Sequence, residues 1–279
     1  MLKLFNLLLE SVFFLKVAIS CTVFQQLFYR LLHDIKLNFI SQILLYWVVS
    51  SASFYSIAFF IEKVIKNNYE LKDKLNVRVK TVKKQSFPAL TAKGIIVGEI
   101  KGFIAVLIIF YLAPETYRGN TLLINFVWFS IRIILADFCF YIAHWLLHRR
   151  FFQKIHLKHH EFRDTSSFVA GHKSLLEYII VTITDLLPIF IFGYDITQLL
   201  AWTLIGNAYN LEGHSSLSIF FISSDFHDIH HTCFKGNYGI QGFWDRVFNT
   251  LNSSTKKTEI AFPIASLEKI VMKRLNSLH

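Results

Sequence analysis

Twelve histidines occur in the 279 residues, and all except His33 and His279 fall between residues 144 and 231. Their spacing is that of shared helix faces. His144 and His148 are four apart, while His156, His159, His160 and His227, His230, His231 repeat the i, i+3, i+4 interval. Each cluster is expected to aim two or three imidazoles at one small volume, and His172 and His214 complete the ten. A lone histidine at a membrane surface is ordinarily a hydrogen-bonded polar residue, but ten in this pattern would each need a separate partner. Metal ligation satisfies them together. A zinc ion takes three or four protein ligands, so ten imidazoles imply two metals. Imidazole suits zinc, copper, iron and nickel alike, so ligand type does not choose the ion. Cys21, Cys139 and Cys233 are too few and too scattered for a thiolate site or a disulfide framework.

Carboxylates stand close to these clusters. Asp137, Tyr141, His144 and His148 step by four, three and four along one helix stripe. Asp137 is expected to accept the N–H of a ligand histidine, with Tyr141 beside it, since an acid near a membrane helix end is costly unless paired. The alternative is a helix-end residue reaching water. Of Glu161, Glu177 and Glu212, one or two are expected to orient imidazoles and the rest to be solvated. Asp185, near Pro188, reads as structural. Trp244 and Asp245 read as packing residues, Asp245 bonded to nearby backbone.

The elements that must position these groups are apolar helices. Hydrophobic residues make up 53% of the chain and charged residues 17%, which excludes a disordered chain and points to a membrane protein. A net charge of +10 would suit a nucleic-acid binder, but the basic residues sit between apolar runs, where they read as topogenic charge; no nucleic acid is implied. Stretches 37–61, 95–113, 121–143, 175–193 and 196–212 are long enough, or nearly so, to span a ~30 Å hydrocarbon layer. The last two form a hairpin joined by Gly193, Tyr194 and Asp195. Residues 4–29 are apolar but include Glu10, Lys16, Gln25 and Gln26, so an interfacial helix competes with a span. A cleaved signal peptide is disfavoured by the length of that run. Nine basic residues between Lys63 and Lys93 place that loop in the cytosol, and parity then brings residues 144–172 and the C-terminal part to the same side. The sequon at Asn252 would then escape glycosylation. Gly94, Gly98 and Gly102, spaced by four, read as a helix-packing stripe. No dinucleotide or Walker sequence is present, so no nucleotide or flavin site is recognisable.

Taken together, the Asp137 to His148 stripe, KIHLKHHEF (154–162), the segment from His172 to Glu177, NLEGHSS (210–216), and HDIHH followed by GNYG and WDRVF (227–248) resemble the fatty acid hydroxylase superfamily. That membrane di-iron group includes sterol desaturases, methylsterol oxidases and sterol hydroxylases. The chain departs from the family pattern at Trp145 (usually Arg), Lys173 (usually Pro) and Asn249 (usually Gly), and only 12 residues separate His214 from His227. These departures bear on substrate more than on metal.

The resemblance implies an all-α membrane protein: transmembrane helical hairpins under a cytosolic, histidine-rich helical cap that holds a di-metal site. Residues 1–120 would be membrane helices and a basic loop, 121–252 the catalytic domain, and 253–279 a cytosolic tail. It further implies two iron ions held by His144, His148, His156, His159, His160, His172, His214, His227, His230 and His231, with zinc able to replace them in a purified form. O2 would be co-substrate, with electrons from NADPH through cytochrome b5 or its reductase, for which the basic strip from Arg149 to Arg163 is one docking candidate. The same strip also suits topogenic or phospholipid roles. The expected activity is a non-haem di-iron monooxygenase or desaturase of the endoplasmic reticulum membrane, acting on a sterol or related lipid. Rival readings are a fatty acyl or sphingolipid hydroxylase, a histidine-rich metal transporter, and a catalytically silent scaffold. A transporter would carry its histidines mid-span.

Overall fold

The computed structural model describes residues 2–67, 92–116, 121–161, 166–215, 219–222 and 224–252. Most of the basic loop, the tail 253–279 and the sequon beyond Asn252 lie outside the described residues. The described chain is helical: α1 (Leu2–Leu32), α2 (Phe39–Asn67), α3 (Ala92–Leu112), α4 (Leu122–Leu147), α5 (Gln153–His156), α6 (Leu175–Phe192), α7 (Ile196–Gly213), α8 (Ser224–Cys233) and α9 (Phe243–Val247), with 3₁₀ turns at His159–Glu161 and Ser167–Gly171.

Five helices are long and apolar enough to cross a membrane: Asn6–Leu32, Phe39–Lys63, Lys93–Leu112, Leu122–Leu147 and Leu175–Phe192. Residues 4–29 thus form a helix of spanning length. Helix α7, expected as a sixth near-span, is not among the five. It buries Thr197, Gln198, Thr203 and Glu212 inside the bundle, so its polar residues lower its hydropathy. Helix α4 runs further than the expected 143, which keeps His144 in its last turn and makes His148 its C-cap.

The main helix contacts run in a cycle, α1 to α4 to α6 to α3 to α2 to α7 and back to α1. Inward faces carry Phe13, Val17 and Cys21 of α1, Phe129 and Ile133 of α4, and Leu199, Trp202 and Ile205 of α7. Outward faces stay apolar as well, with Ile96, Ile100, Leu123 and Ile131 exposed. Apolar surface on that scale is a liability in water and is the ordinary condition of a bundle in lipid.

Polar contacts fix the register. Asn125 donates from Nδ2 to Gln25 Oε1 (2.7 Å) and accepts at Oδ1 from Gln198 Nε2 (2.8 Å), while Gln25 Nε2 donates to Thr197 Oγ1 (3.2 Å). These buried amides tie α1, α4 and α7 together. The turn between α6 and α7 needs Gly193, whose φ is +80° and whose absent Cβ would lie 2.7 Å from Pro114 O. This close approach lets Tyr194 N donate to Pro114 O and Thr116 N donate to Tyr194 O. The glycine stripe of α3 does not meet another helix backbone. A Cβ at Gly98 or Gly102 would find Tyr55 and Tyr178 hydroxyls at 3.8 and 3.6 Å, and a cavity lies between. The small residues leave space there rather than close it.

Asn125→Leu is expected to strand Gln25 and Gln198 and to cost about 1–2 kcal/mol of bundle stability. The measure is the unfolding midpoint of the detergent-solubilised chain; an unchanged midpoint would show that the amides do not hold these helices together.

Candidate metal centre

Two groups of imidazoles converge where α4 and α7 end and α6 begins. His144, His148, His156, His160 and His230 form one group, and His159, His214, His227 and His231 form the other; in each, the ligand-capable nitrogens lie within 4.8 Å of one another. The sequence clusters are therefore shared out rather than kept whole. On α8, His227 and His231 are one turn apart and face one pocket, whereas His230 turns into the other. The expected single helix face at 156–160 is broken: α5 stops at His156, and the following 3₁₀ turn sends His159 to the second pocket and His160 back to the first.

Within the first group the Nε2 atoms of His144 and His156 are 3.2 Å apart, His156 and His160 2.9 Å, His160 and His230 3.2 Å, and His148 and His230 3.1 Å. In the second, His159 and His214 are 3.3 Å apart, His214 and His227 3.0 Å, and His227 and His231 3.1 Å.

Far-side contacts decide what lies between these nitrogens. His144 Nδ1 donates to Tyr238 O (2.8 Å), His230 Nδ1 to Gly236 O (2.7 Å), His214 Nδ1 to Asn210 O (2.8 Å) and His156 Nδ1 to Glu177 Oε1 (2.8 Å). Each acceptor requires the proton on Nδ1, which leaves a bare lone pair on Nε2. Burial also keeps these rings neutral. It holds His148 down at about 4, His214 and His230 at about 3, and His156 at about 2; nearby charge adds to it, from Lys173 at His214 and from the His148 ring at His156 and His230. His159, His160 and His227 are pushed below the usual range by burial first and by neighbouring imidazoles second. Between His144 and His156, whose outer nitrogens both hold their protons, two lone pairs face one another at 3.2 Å and repel unless a cation sits between them. An ion bound at about 2.1 Å places adjacent nitrogens roughly 3.0–3.4 Å apart, so the donor set fits a metal in each pocket. Five and four nitrogens also leave a six-coordinate ion room for further ligands.

His172, the tenth expected ligand, stands outside both groups. Its Nε2 donates to Glu161 Oε2 at 2.9 Å, and this carboxylate at the protein surface draws the ring away from the pockets. Asp137 reaches no histidine either, lying two helical turns below His144. Its Oδ1 accepts from Ile240 N (2.9 Å), while Asp245 accepts from Tyr238 N (2.9 Å) and Gly239 N (2.7 Å). The two acids clamp the loop whose Tyr238 carbonyl receives the His144 proton. Tyr141 donates to Thr250 Oγ1 (3.1 Å), and that hydroxyl donates to Asp245 (2.6 Å). Glu177 is the carboxylate that touches a pocket histidine directly, and Glu212 instead accepts three backbone N–H groups of residues 219–221. Asp185 is structural in its contacts, accepting from Trp202 Nε1 (3.1 Å) and the Tyr209 hydroxyl (3.2 Å). Backbone acceptors such as Tyr238 O carry no sequence signal, since every residue has a carbonyl.

A cavity of about 210 Å³, partly open to the outside, runs inside the helix ring to both groups. His144, His156, His159, His214 and His227 form its head, and Tyr46, Phe54, Phe140, Val181 and Leu186 are among its walls. The arrangement is a membrane helical bundle that holds two all-histidine pockets against an internal, largely apolar chamber.

Residues 129–250 match the family described as fatty acid hydroxylase. The chain is similar to methylsterol monooxygenase 1 of Gallus gallus, 31% identical over 128 residues that make up 42% of this chain and 43% of that protein. A putative methylsterol monooxygenase of Dictyostelium discoideum is 32% identical over 132 residues, 43% of this chain and 49% of its own. Fatty acid hydroxylase domain-containing protein 2 of Homo sapiens is 27% identical over 136 residues, 45% and 40% of the two chains. These matches span less than half the length of each relative. No solved structure gives a significant match. The chain carries, over residues 129–250, a domain of the fatty acid hydroxylase superfamily.

Metal analysis of the purified chain should return two ions per molecule. His156→Ala and His227→Ala should each lose about one, His172→Ala should keep both, and Glu177→Ala should weaken metal affinity roughly 10–100-fold through the freed His156 ring. Retention of both ions in His156→Ala and His227→Ala would remove these pockets as metal sites.

Proposed function

We propose that the chain is a membrane di-iron oxygenase that uses O2 and externally supplied electrons to hydroxylate, oxidise or desaturate a sterol or related lipid. The observation that carries this reading is the junction of two neutral, all-nitrogen pockets with a chamber inside a ring of apolar helices. The methylsterol monooxygenase names of relatives favour a sterol over an acyl chain. Iron in these pockets would supply the activation of O2 needed to attack an unactivated C–H bond, for which protein side chains alone have no means.

His144, His148, His156, His160 and His230 would hold one ion, and His159, His214, His227 and His231 the other. The residues around them do the rest. Glu177 and the carbonyls of Asn210, Gly236 and Tyr238 keep the imidazole protons on the outer nitrogens, so the inner lone pairs stay available. Asp137 and Asp245 hold the 238–240 backbone and with it the His144 ring. Phe140, Leu147 and Ile222 line the chamber beside the histidines and exclude water from the place where hydrogen leaves the substrate. Substrate would enter from the bilayer, an endoplasmic reticulum membrane in this reading, with the histidine end toward the cytosol and cytochrome b5 or its reductase as electron donor.

Expression in cells that lack their own methylsterol oxidation tests the reading. The wild-type chain should deplete accumulated methylsterols, and His144→Ala and His230→Ala should not, although both insert in the membrane. Depletion of saturated or unhydroxylated acyl chains instead would move the substrate to the acyl class. Full activity in either variant would overturn the di-iron assignment.

A further inference from the structure

A second cavity, of about 140 Å³ and partly open to the outside, lies between α2, α3 and α6. It adjoins the chamber of the metal centre. Tyr46, Ser50, Phe54, Tyr178, Thr182 and Asn207 line both, so these residues form the partition between them. The outer wall is α3, a helix of spanning length that turns Gly94, Gly98, Gly102 and Ala105 toward the cavity and leaves Ile96 and Ile100 exposed on its other faces. No neighbouring backbone fills the space opposite the glycines. What a Cβ at Gly98 or Gly102 would meet are the hydroxyl tips of Tyr55 and Tyr178. The gap therefore stands between the lipid side of the bundle and the metal centre.

Its lining holds hydrogen-bonding capacity that the protein does not use. The Tyr178 hydroxyl makes no hydrogen bond among the described residues. Other interior phenols are paired, Tyr46 accepting from Thr203 Oγ1 (2.7 Å) and Tyr209 donating to Asp185 (3.2 Å). Trp47, on the same lining, has its Nε1 buried without a partner. Glu99 accepts from Ser51 Oγ (2.6 Å), and its carboxylate keeps further lone pairs. Polar groups left unpaired inside a bundle are costly, and a visiting polar group relieves that cost. An acidic residue within a span ordinarily faces a cavity or a substrate path. An alcohol is the group that suits this lining: it accepts from Tyr178 or Trp47 and donates to Glu99, whereas an ester cannot donate and a carboxylate is opposed by Glu99.

We infer that this cavity binds the hydroxyl end of a lipid alcohol, a sterol, and is the doorway through which substrate leaves the bilayer for the chamber. The words sterol and substrate rest on the oxygenase reading; the hydroxyl contact does not.

The test uses the metal-loaded full chain in nanodiscs and cholesterol bearing a diazirine in ring B, close to its hydroxyl. Photolysis should label cavity residues on α2, α3 or α6. Cholesterol should displace the label at least about threefold better than cholestane, which lacks the hydroxyl. Tyr178→Phe removes an unpaired hydroxyl alone, so it should keep the metal content and the unfolding midpoint while losing most of that preference. Gly98→Leu and Gly102→Leu fill the doorway and should lower kcat/KM for a methylsterol with both ions still bound. Labelling elsewhere, equal displacement by cholestane, or an undiminished preference in Tyr178→Phe overturns the hydroxyl site. A folded Gly102→Leu chain with wild-type kcat/KM overturns the doorway. A wild-type chain that shows the hydroxyl-dependent label yet oxidises no lipid supports the site and overturns the oxygenase reading.

Discussion

Neutral imidazoles brought tip to tip with their protons held on the outer nitrogens repel one another, and this repulsion is the constraint around which the centre is organised. Nine rings are gathered there, eight of them less than a tenth exposed. Four of them, His144, His156, His214 and His230, are kept there by acceptors on their outer nitrogens, and those acceptors are fixed in turn by a carboxylate, chain turns and a helix end. The Asp137 and Asp245 clamp and the Glu177 contact serve one purpose: they leave the His144 and His156 rings no freedom to turn away. Without a cation such a centre would be a concentrated source of strain, which is why the donor set itself argues for metal.

Much of this was legible in the residues. The i, i+4 pairs His144/His148 and His227/His231 located the pockets' helices, and the apolar runs located the bundle. Periodicity misled where local backbone took over. It treated 156–160 as one face, yet the chain leaves the α-helix after His156 and tightens into a 3₁₀ turn, which divides that cluster between pockets. It also grouped His230 with its neighbours, although a residue three positions on is rotated by enough to serve a second pocket. Asp137 shows a different limit. Sharing a stripe with His144 is not contact, and the carboxylate works through a loop about a hundred residues later in the chain. His172 lay in a matching motif but found a nearer partner in Glu161.

The departures from the family pattern have separate physical readings. Asn249 sits at φ +57°, the left-handed region in which asparagine is the usual substitute for glycine, so the turn survives the change. Trp145 receives the Arg149 guanidinium over its ring at 3.7 Å, which replaces a charge with a platform for one. The cavity wall is drawn partly from Tyr46, Ser50 and Phe54 of α2, outside the matched residues 129–250. The rest of the lining lies within the matched residues, on the same stretch that carries the histidines.

Helix α8 contributes His230 to one pocket and His227 with His231 to the other within little more than a single turn. That short segment acts as a ruler between the two pockets. Any tilt that loosened one would carry the other with it, so the spacing of the pair is set by the pitch of an α-helix.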